Sequence, residues 1–333
     1  GARGGIIGAT TDTIVPRLGA TYDVNGDGRF VLQGTYGHYA GKYSESQFAE
    51  NTNVGNPDFL WMAYTGPAGQ GRDFAPGFDP ANYEIFQGDF PTANVFLEEG
   101  LSSPIVREWT LQAGTEIGQD GYLKAIYINR NWSNFVEDFI TLEGGATNIV
   151  RDGVDFGTFD NNVITNSDDP VRRYQAVQLQ SRYDLSNALS LNAHWTIQLE
   201  NEGNFEGEGV NTPGATSVIG DYPEIRDEAR HFPVGRTDDF QRHPGRAWAI
   251  HNLTMARFGT LTSSLMWRYE GAQAFSLAAT GVAITPQQEA ILTSLGYQSA
   301  PADQTIYFEG RGTELFDDYS LFDVSLNYQI PLW

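Results

Sequence analysis

The sequence predicts an all-β protein whose strands cross a membrane as part of an antiparallel β-barrel. Three observations lead to this prediction. Apolar and polar residues alternate over many segments, short turns alternate with long connections, and acidic residues are concentrated in those connections. All three are expected of a barrel whose outer face meets lipid and whose inner face meets water.

Nine segments have the length and pattern of strands. The alternation is cleanest at 105–117, 189–199, 261–269 and 322–332, where one parity is apolar and the other is polar. The parity is mixed in the five weaker segments, which are 14–24, 30–39, 122–132, 171–185 and 244–258. Side chains alternate between the two faces of a strand, and a tilted strand crosses a bilayer in about 9–11 residues.

The alternation also predicts which side chains meet lipid and which face the barrel lumen. We expect lipid contact at Trp195, Ile197, Trp267, Leu326 and Tyr328. The lumen-facing set is Asn192, Thr196, Asn327 and Gln329. His194 and His251 also fall within strands, where a lumen-facing polar position is the ordinary interpretation.

The connections divide into two kinds that alternate along the chain. Tight turns rich in Gly, Asn and Asp are predicted at 25–28, 118–121, 186–188 and 259–260. Long extracellular loops with little secondary structure are predicted at 41–103, 140–170, 200–243 and 270–317. These loops hold 31 of the 42 Asp and Glu residues but only 8 of the 20 Lys and Arg residues. The strands are thereby kept nearly free of net charge, as a lipid-facing sheet requires.

Composition excludes several classes of function. The chain has no cysteine, so thiolate catalysis and zinc–thiolate sites are excluded. A formal charge of −22 argues against nucleic acid as a partner, because phosphate binding needs a basic face. The five histidines have no metal-ligand spacing, and no serine stands in a nucleophile-elbow context. We therefore expect no enzyme activity, no catalytic residue and no cofactor.

Two segments carry a resemblance to a known family. The first runs from Pro16-Arg17-Leu18-Gly19 through the turn Asn25-Gly26-Asp27-Gly28 to Phe30-Val31-Leu32-Gln33-Gly34, and the second is the closing segment Ser320 to Trp333. They resemble the barrel of TonB-dependent outer-membrane receptors, especially the Oar-like branch with large surface loops. The likeness is one of pattern and extends over nearly all of the chain.

The resemblance implies a 22-stranded barrel around an N-terminal plug, in the outer membrane of a Gram-negative bacterium, which takes up a scarce solute. Residues 1–333 would form a partial barrel domain, its final nine strands, without the plug. The implied partners are outer-membrane lipid and lipopolysaccharide, the TonB system through an N-terminal region that this chain lacks, and the barrel-assembly machinery. That machinery would read the terminal strand, with Phe322, Tyr328 and Trp333 as its signal.

Three further features are candidate sites. The turn with Asp23, Asn25 and Asp27 matches the first half of a calcium loop, but Gly34 stands where the loop needs a Glu, so a plain hairpin is the main interpretation. The acidic run Glu200, Glu202, Glu206 and Glu208 suits a solvated loop better than a cation site. An aromatic-rich loop can form a ligand platform or a small core of its own. Its main residues are Phe59, Trp61, Tyr64, Phe74 and Tyr83.

One helix is predicted inside the last long loop. Thr285 is the N-cap, Pro286 the first helical residue, Gln288 completes a capping box, and Gly296 ends the helix. We expect a lid-like surface helix over the barrel mouth.

Two alternatives to a transporter remain open at this stage. A surface assembly or adhesion barrel would use the same loops to bind other proteins and would transport nothing. A secreted acidic β-sandwich would also show alternating strands, but it would bury one sheet face against a second sheet.

Overall fold

Nine long antiparallel strands form one sheet in chain order, and all nine predicted strands are confirmed. The computed structural model describes residues 13–41, 58–67, 80–204 and 218–330. The strands of the large sheet are β1 (Arg17–Asp23), β2 (Phe30–Ala40), β3 (Ile105–Ile117), β4 (Gly121–Ser133), β5 (Arg172–Ser186), β6 (Leu189–Gly203), β7 (Gly245–Thr254), β8 (Thr260–Glu270) and β9 (Tyr319–Gln329).

Two strand ends differ from the prediction by four residues. The strand predicted over 244–258 ends at Thr254, and the chain then turns through a short 3₁₀ segment, Ala256–Phe258, in which Ala256 has φ 44°. Strand β6 continues to Gly203, so Glu200 and Glu202 lie in the sheet and not in a loop. A bulge near Leu199, where Glu200 pairs with Gln175 and Gln198 with Ala176, accommodates this extension.

The strand register separates the side chains into two faces. Trp195 lies opposite Gly245, which lies opposite Tyr269, and Trp267 lies opposite Phe322. Because directly opposite residues of an antiparallel pair share a face, Trp195, Ile197, Trp267, Leu326 and Tyr328 lie together on one face. Asn192, Thr196, Asn327 and Gln329 lie on the other. We call these the apolar face and the polar face.

One histidine departs from its expected side. His194 lies opposite Arg246 on the polar face, but His251 lies opposite Leu189 and Ser263 on the apolar face. It stands near the turn end of β7, where the strand leaves the sheet, so a polar ring is less costly there than at mid-strand.

The buried apolar side chains lie mainly outside the large sheet. Among the described residues, only Ile128 and Ala176 of this buried set belong to its nine strands. The apolar face is bare by contrast, and Phe322, Val324 and Leu326 are 68%, 71% and 70% exposed. A sandwich would bury such a face under a second sheet. The secreted-sandwich alternative therefore has no support in the packing.

Both edges of the sheet are open within the described residues. Strand β1 pairs only with β2, and β9 pairs only with β8. An unpaired strand edge exposes a row of backbone donors and acceptors.

The four long connections follow β2, β4, β6 and β8, and we number them 1 to 4. They are far more ordered than the sequence suggested. In their described parts they contain four two-stranded sheets, which are Phe59–Tyr64 with Tyr83–Asp89, Ala146–Arg151 with Val154–Asp160, Ala274–Phe275 with Glu314–Leu315, and Ala278–Ala283 with Asp303–Tyr307. A three-stranded sheet has Asn162–Ser167 in the middle, between Val95–Leu97 and Phe135–Phe139. The short strand Gly235–Arg236 pairs with β6. Buried backbone groups need hydrogen-bond partners, and these segments supply them to each other.

Two helices lie in connections 3 and 4. Helix α1 is the single turn Glu228–His231, and α2 is Pro286–Leu295. The predicted capping box of α2 is confirmed, since Thr285 and Gln288 exchange hydrogen bonds, and Gly296 ends the helix in the left-handed region with φ 111°. Only Leu292 of its apolar residues is buried, at 1% exposure. In the described part of the chain, neither helix is long and apolar enough to span a membrane.

Candidate ligand-binding site in the long connections

Connections 1 and 2 are joined by a shared sheet and a shared core. Val95–Leu97 runs parallel to 162–164, and Phe135–Phe139 pairs antiparallel with the same strand. Phe90 of connection 1 packs against Phe159 of connection 2, with ring centroids 5.1 Å apart, and against Ile149. Asn94 Nδ2 links the backbones by donating to the carbonyls of Gly88 and Asp160, at 2.8 and 3.2 Å.

Connections 3 and 4 are joined to this unit by the buried carboxylate of Asp221 and the partly buried carboxylate of Asp160. An Asp221 oxygen accepts a hydrogen bond from the Ile140 backbone N–H at 2.9 Å. The Asp160 carboxylate accepts from the backbone N–H of Gln298 at 3.0 Å and of Ser299 at 2.9 Å, and from the Ser299 hydroxyl at 2.8 Å. Tyr222, Leu292 and Tyr297 form a small core between connections 3 and 4. The four connections therefore fold as one assembly.

A cavity of about 580 Å³ opens between connections 3 and 4. This volume is within the usual range for small-molecule sites. One part of its wall is aromatic and apolar, and another part carries both basic and acidic side chains, the acidic ones being Asp238 and Asp303. The aromatic residues are Phe232, Phe275, Tyr307 and Phe316. The basic residues and histidine are Arg226, Arg311 and His231.

The polar groups of the cavity wall are held in place by the surrounding chain. Arg311 donates to the carbonyls of Pro233 and Asn204, at 3.1 and 2.8 Å. His231 Nε2 lies 2.9 Å from Gln304 Oε1. Arg226 is 7% exposed and donates to the Val218 carbonyl at 2.9 Å, while its Nε has no partner among the described residues. An unpaired buried N–H is costly, so this group favours a ligand that carries an acceptor.

Burial perturbs the carboxylates at the junction of connections 1, 2 and 3. The pKa of Asp221 is raised to about 7, mainly by desolvation and to a smaller extent by the Asp138 charge. The hydrogen bond from the Ile140 N–H and the Arg226 charge oppose this rise. Desolvation also raises the pKa of Asp138 and of Asp89, and the charge of Asp138 adds to the effect on Asp89. Arg226 has its pKa lowered by the same burial, and Asp221 opposes that shift. The junction of connections 1, 2 and 3 is therefore a set of carboxyls that resist ionisation.

The aromatic residues that the sequence singled out do not line this cavity. Phe59 and Trp61 lie side by side on the Phe59–Tyr64 strand, with ring centroids 4.8 Å apart, and both are exposed. Tyr64 and Tyr83 form a separate pair at 5.3 Å. Phe74 lies outside the described residues. Leu60 and Ile85 anchor this hairpin to the Phe90 core, as expected if the loop forms a small core of its own. The ligand platform stays a prediction.

Sequence reasoning missed the cavity residues because connections 3 and 4 meet only in the folded protein. The sequence offered one signal for a cavity residue, which is the scarcity of basic residues in the last long loop. Arg311 is the only Lys or Arg between residues 270 and 317. A single arginine retained in an acidic loop is a reasonable candidate for a specific contact.

The Asp23 turn has the geometry of a plain hairpin. Asp23 accepts hydrogen bonds from the backbone N–H groups of Gly26 and Gly28, at 3.0 and 2.7 Å, and Asp27 accepts from Arg29 at 3.0 Å. Gly26 and Gly28 have φ values of 73° and 76°, which favour glycine. No group of three acidic or histidine side chains in the described residues has the arrangement of a metal site. Glu206, Glu208 and Trp333 lie outside the described residues.

Three ion pairs between strand residues lie on the polar face within the described part of the chain. Glu108 pairs with Arg130, Arg182 with Asp184 at 3.2 Å, and Arg268 with Asp323 at 3.0 Å. The register assigns all three pairs to the face that carries Asn192 and Asn327. Such pairing is suited to a polar interior surface.

The shifted pKa of Asp221 predicts that the connection assembly loosens as pH rises. A carboxyl whose folded pKa lies above its unfolded value stabilises the fold at acid pH, and this contribution is lost as pH rises towards 7. We expect the junction of connections 2 and 3 to be about 2 kcal/mol less stable at pH 8 than at pH 5. Asp221→Asn should remove most of this dependence, because an amide keeps an acceptor for Ile140 but does not titrate.

The measurement is hydrogen exchange of segments 135–142 and 218–226 at the two pH values, corrected for intrinsic rates. Asp221→Ala is the control, since it should weaken the junction at both pH values. An Asp221→Asn protein with the pH dependence of the parent would contradict the assignment.

Comparison with known proteins identifies a fold and no family. No family model matches the sequence, and no curated protein matches it. The outer membrane transporter YddB from Escherichia coli is 11% identical, with 96% of this chain and 34% of that chain covered and a TM-score of 0.51. The siderophore receptor PirA from Acinetobacter baumannii is 10% identical, with coverages of 94% and 34% and a TM-score of 0.49.

A third match, the ferric yersiniabactin uptake receptor FyuA from Yersinia pestis, has 10% identity, coverages of 95% and 29%, and a TM-score of 0.40. The chain thus spans about a third of the length of these solved structures, 34% in the case of YddB. At this level of identity, the YddB match shows fold alone. The large antiparallel sheet with long connections is the fold of part of an outer-membrane β-barrel.

Proposed function

We propose that this chain is the C-terminal part of the barrel of a TonB-dependent outer-membrane receptor of the Oar-like branch. The observation that carries the proposal is the bare apolar face of a nine-stranded meander. Among the described residues, each of its two edge strands is paired on one side only. Such a sheet is stable in a bilayer when further strands of the same protein close it into a barrel. The fold that it shares with YddB, named an outer membrane transporter, supports the same conclusion.

The two faces then take different surroundings. The apolar face, with Trp195, Ile197 and Leu326, contacts lipid, and the polar face lines the lumen. The four connections lie on the extracellular side, where their acidic surface is hydrated. The cavity between connections 3 and 4 captures a solute at this surface, and the receptor moves it inward without covalent chemistry.

Topology is tested by cysteine labelling, which has no background because the chain contains no cysteine. Asn204 is a poor labelling site, since it is 6% exposed and bonded to the backbone of Val171 and Asp169. Glu309 in connection 4 and Asn187 in the β5–β6 turn are both exposed. In intact cells, an impermeant maleimide should label Glu309→Cys and not Asn187→Cys, and both should react after lysis. Labelling of Asn187→Cys alone in intact cells would reverse the orientation.

The facing of the last strand is tested by a matched pair of arginine substitutions. Leu326 and Asn327 are adjacent exposed residues on opposite faces of β9. Leu326→Arg should destabilise the folded barrel by about 2–4 kcal/mol, because it places a charge in hydrocarbon, whereas Asn327→Arg faces water. Unfolding of the full-length protein in vesicles measures both. If Asn327→Arg were the more damaging change, the assignment of the faces would be wrong.

The full-length gene distinguishes a receptor from a surface assembly or adhesion barrel. A receptor should encode a plug domain and a TonB box upstream of Gly1, and deletion of that box should leave the barrel assembled but abolish uptake. An assembled barrel whose gene encodes neither element would favour the surface-assembly alternative.

A further inference from the structure

The apolar face carries two arginines, and both stand in one row across neighbouring strands. Arg107 of β3 lies opposite Asn131 of β4, and Asn131 lies opposite Arg173 of β5. All three residues are exposed. The other basic residues of the nine strands lie on the polar face, and these are Arg17, Lys124, Arg130, Arg172, Arg182, Arg246 and Arg268.

The row stands at the boundary of the apolar band. Arg107 lies ten residues from the turn end of β3 at Ile117, and Asn131 lies ten residues from the turn end of β4 at Gly121. Arg173 lies ten residues from Tyr183, the β5 residue opposite Gly121. Ten strand residues span about 33 Å, which at the usual barrel tilt of roughly 40° corresponds to a height of about 25 Å. The hydrophobic band of an outer-membrane barrel is about 25 Å tall. The guanidinium groups therefore lie at the level where lipid headgroups begin.

The residues below the row are those of a membrane interface. The next row towards the turns contains Tyr36, Trp109 and Asn129, and Trp109 lies against Tyr127 with ring centroids 4.9 Å apart. Aromatic side chains of this kind mark the interface of membrane proteins. Below them, Leu111, Val177 and Ile197 are apolar.

The two arginines have no partner within the described residues that accounts for their position. Neither forms an ion pair or a side-chain hydrogen bond there. The nearest acidic residue in the row is Glu202, opposite Arg173 and also opposite Arg236. Glu200, one row below, is engaged with Gln175. Arg107 has only His38 and Asn131 as neighbours across the strands, so the positive charge is least compensated on the β3–β4 side.

We propose that Arg107, Asn131 and Arg173 form a binding site for the phosphate of an outer-leaflet glycolipid, the phosphorylated base of lipopolysaccharide. The proposal rests on the membrane placement of the preceding section. Neighbouring strands are about 4.8 Å apart, so the two arginine backbones are about 10 Å apart and can close on one phosphate from both sides. Guanidinium groups suit phosphate because their N–H groups bind two oxygens at once. Asn131 contributes an amide donor between them.

The test is binding of purified lipid A in its bisphosphorylated and dephosphorylated forms to the full-length receptor in detergent, followed by native mass spectrometry. Each arginine near an anionic lipid surface contributes about fivefold in affinity. The double variant Arg107→Gln/Arg173→Gln should therefore weaken binding of the bisphosphorylated form about 25-fold. Arg246→Gln, which removes the same charge from the polar face, should leave it unchanged. Glu202→Gln should strengthen it, since it removes the carboxylate that competes for Arg173.

Equal affinity of the double variant and Arg246→Gln would overturn the proposal, as would equal binding of dephosphorylated lipid A. Competition by millimolar inorganic phosphate would assign the site to a free anion and would also overturn it. The heat-modifiable migration of every variant is checked first. If the barrel assembles but binds the bisphosphorylated and dephosphorylated forms of lipid A equally, only this site is refuted. If the chain never enters the membrane, the proposed function is refuted.

Discussion

The pairing register of the nine-stranded sheet is the constraint on which the rest of the structure depends. Side chains alternate along a strand, so a slip of one residue would exchange the two faces. The observed register brings Trp267 beside Phe322 and Asn327 beside Thr262, and it keeps the ion pairs of the strands on one side. Backbone pairing and side-chain chemistry therefore agree most clearly between β8 and β9. This agreement lets the sheet expose an apolar face without a covering layer of protein.

The long connections solve a different physical problem. They carry most of the acidic residues of the chain, yet they contain most of its buried apolar residues too. Phe90, Phe135 and Leu292 supply the cores. The buried Asn94 amide and the partly buried Asp160 carboxylate join one connection to the next. A buried carboxyl is tolerated where it accepts backbone hydrogen bonds or keeps its proton. Asp221 meets both conditions. Asp160 is only partly buried and accepts hydrogen bonds from Gln298 and Ser299.

This arrangement ties the cavity to the folding of all four connections. Arg226 lies on the cavity wall and is coupled to Asp221, whose carboxylate also holds the backbone of connection 2. Arg311, from connection 4, binds carbonyls at the end of β6 and in connection 3. The wall of the cavity is therefore formed by residues of more than one connection, and contacts between the connections hold these residues in place. A change at the Asp221 junction would therefore alter the shape of the cavity.

The sequence by itself determined the large sheet, because periodicity and turn composition are local properties. The nine strands, the tight turns and the capped helix after Thr285 each follow from residues a few positions apart. Only the tertiary structure decided how the connections fold against each other. Partners such as Asp160 and Ser299, or Arg311 and Asn204, are separated by more than a hundred residues, and no periodic signal records such pairs. The row of Arg107, Asn131 and Arg173 shows the same limit. Each residue is ordinary within its own strand, and the register between strands places them together.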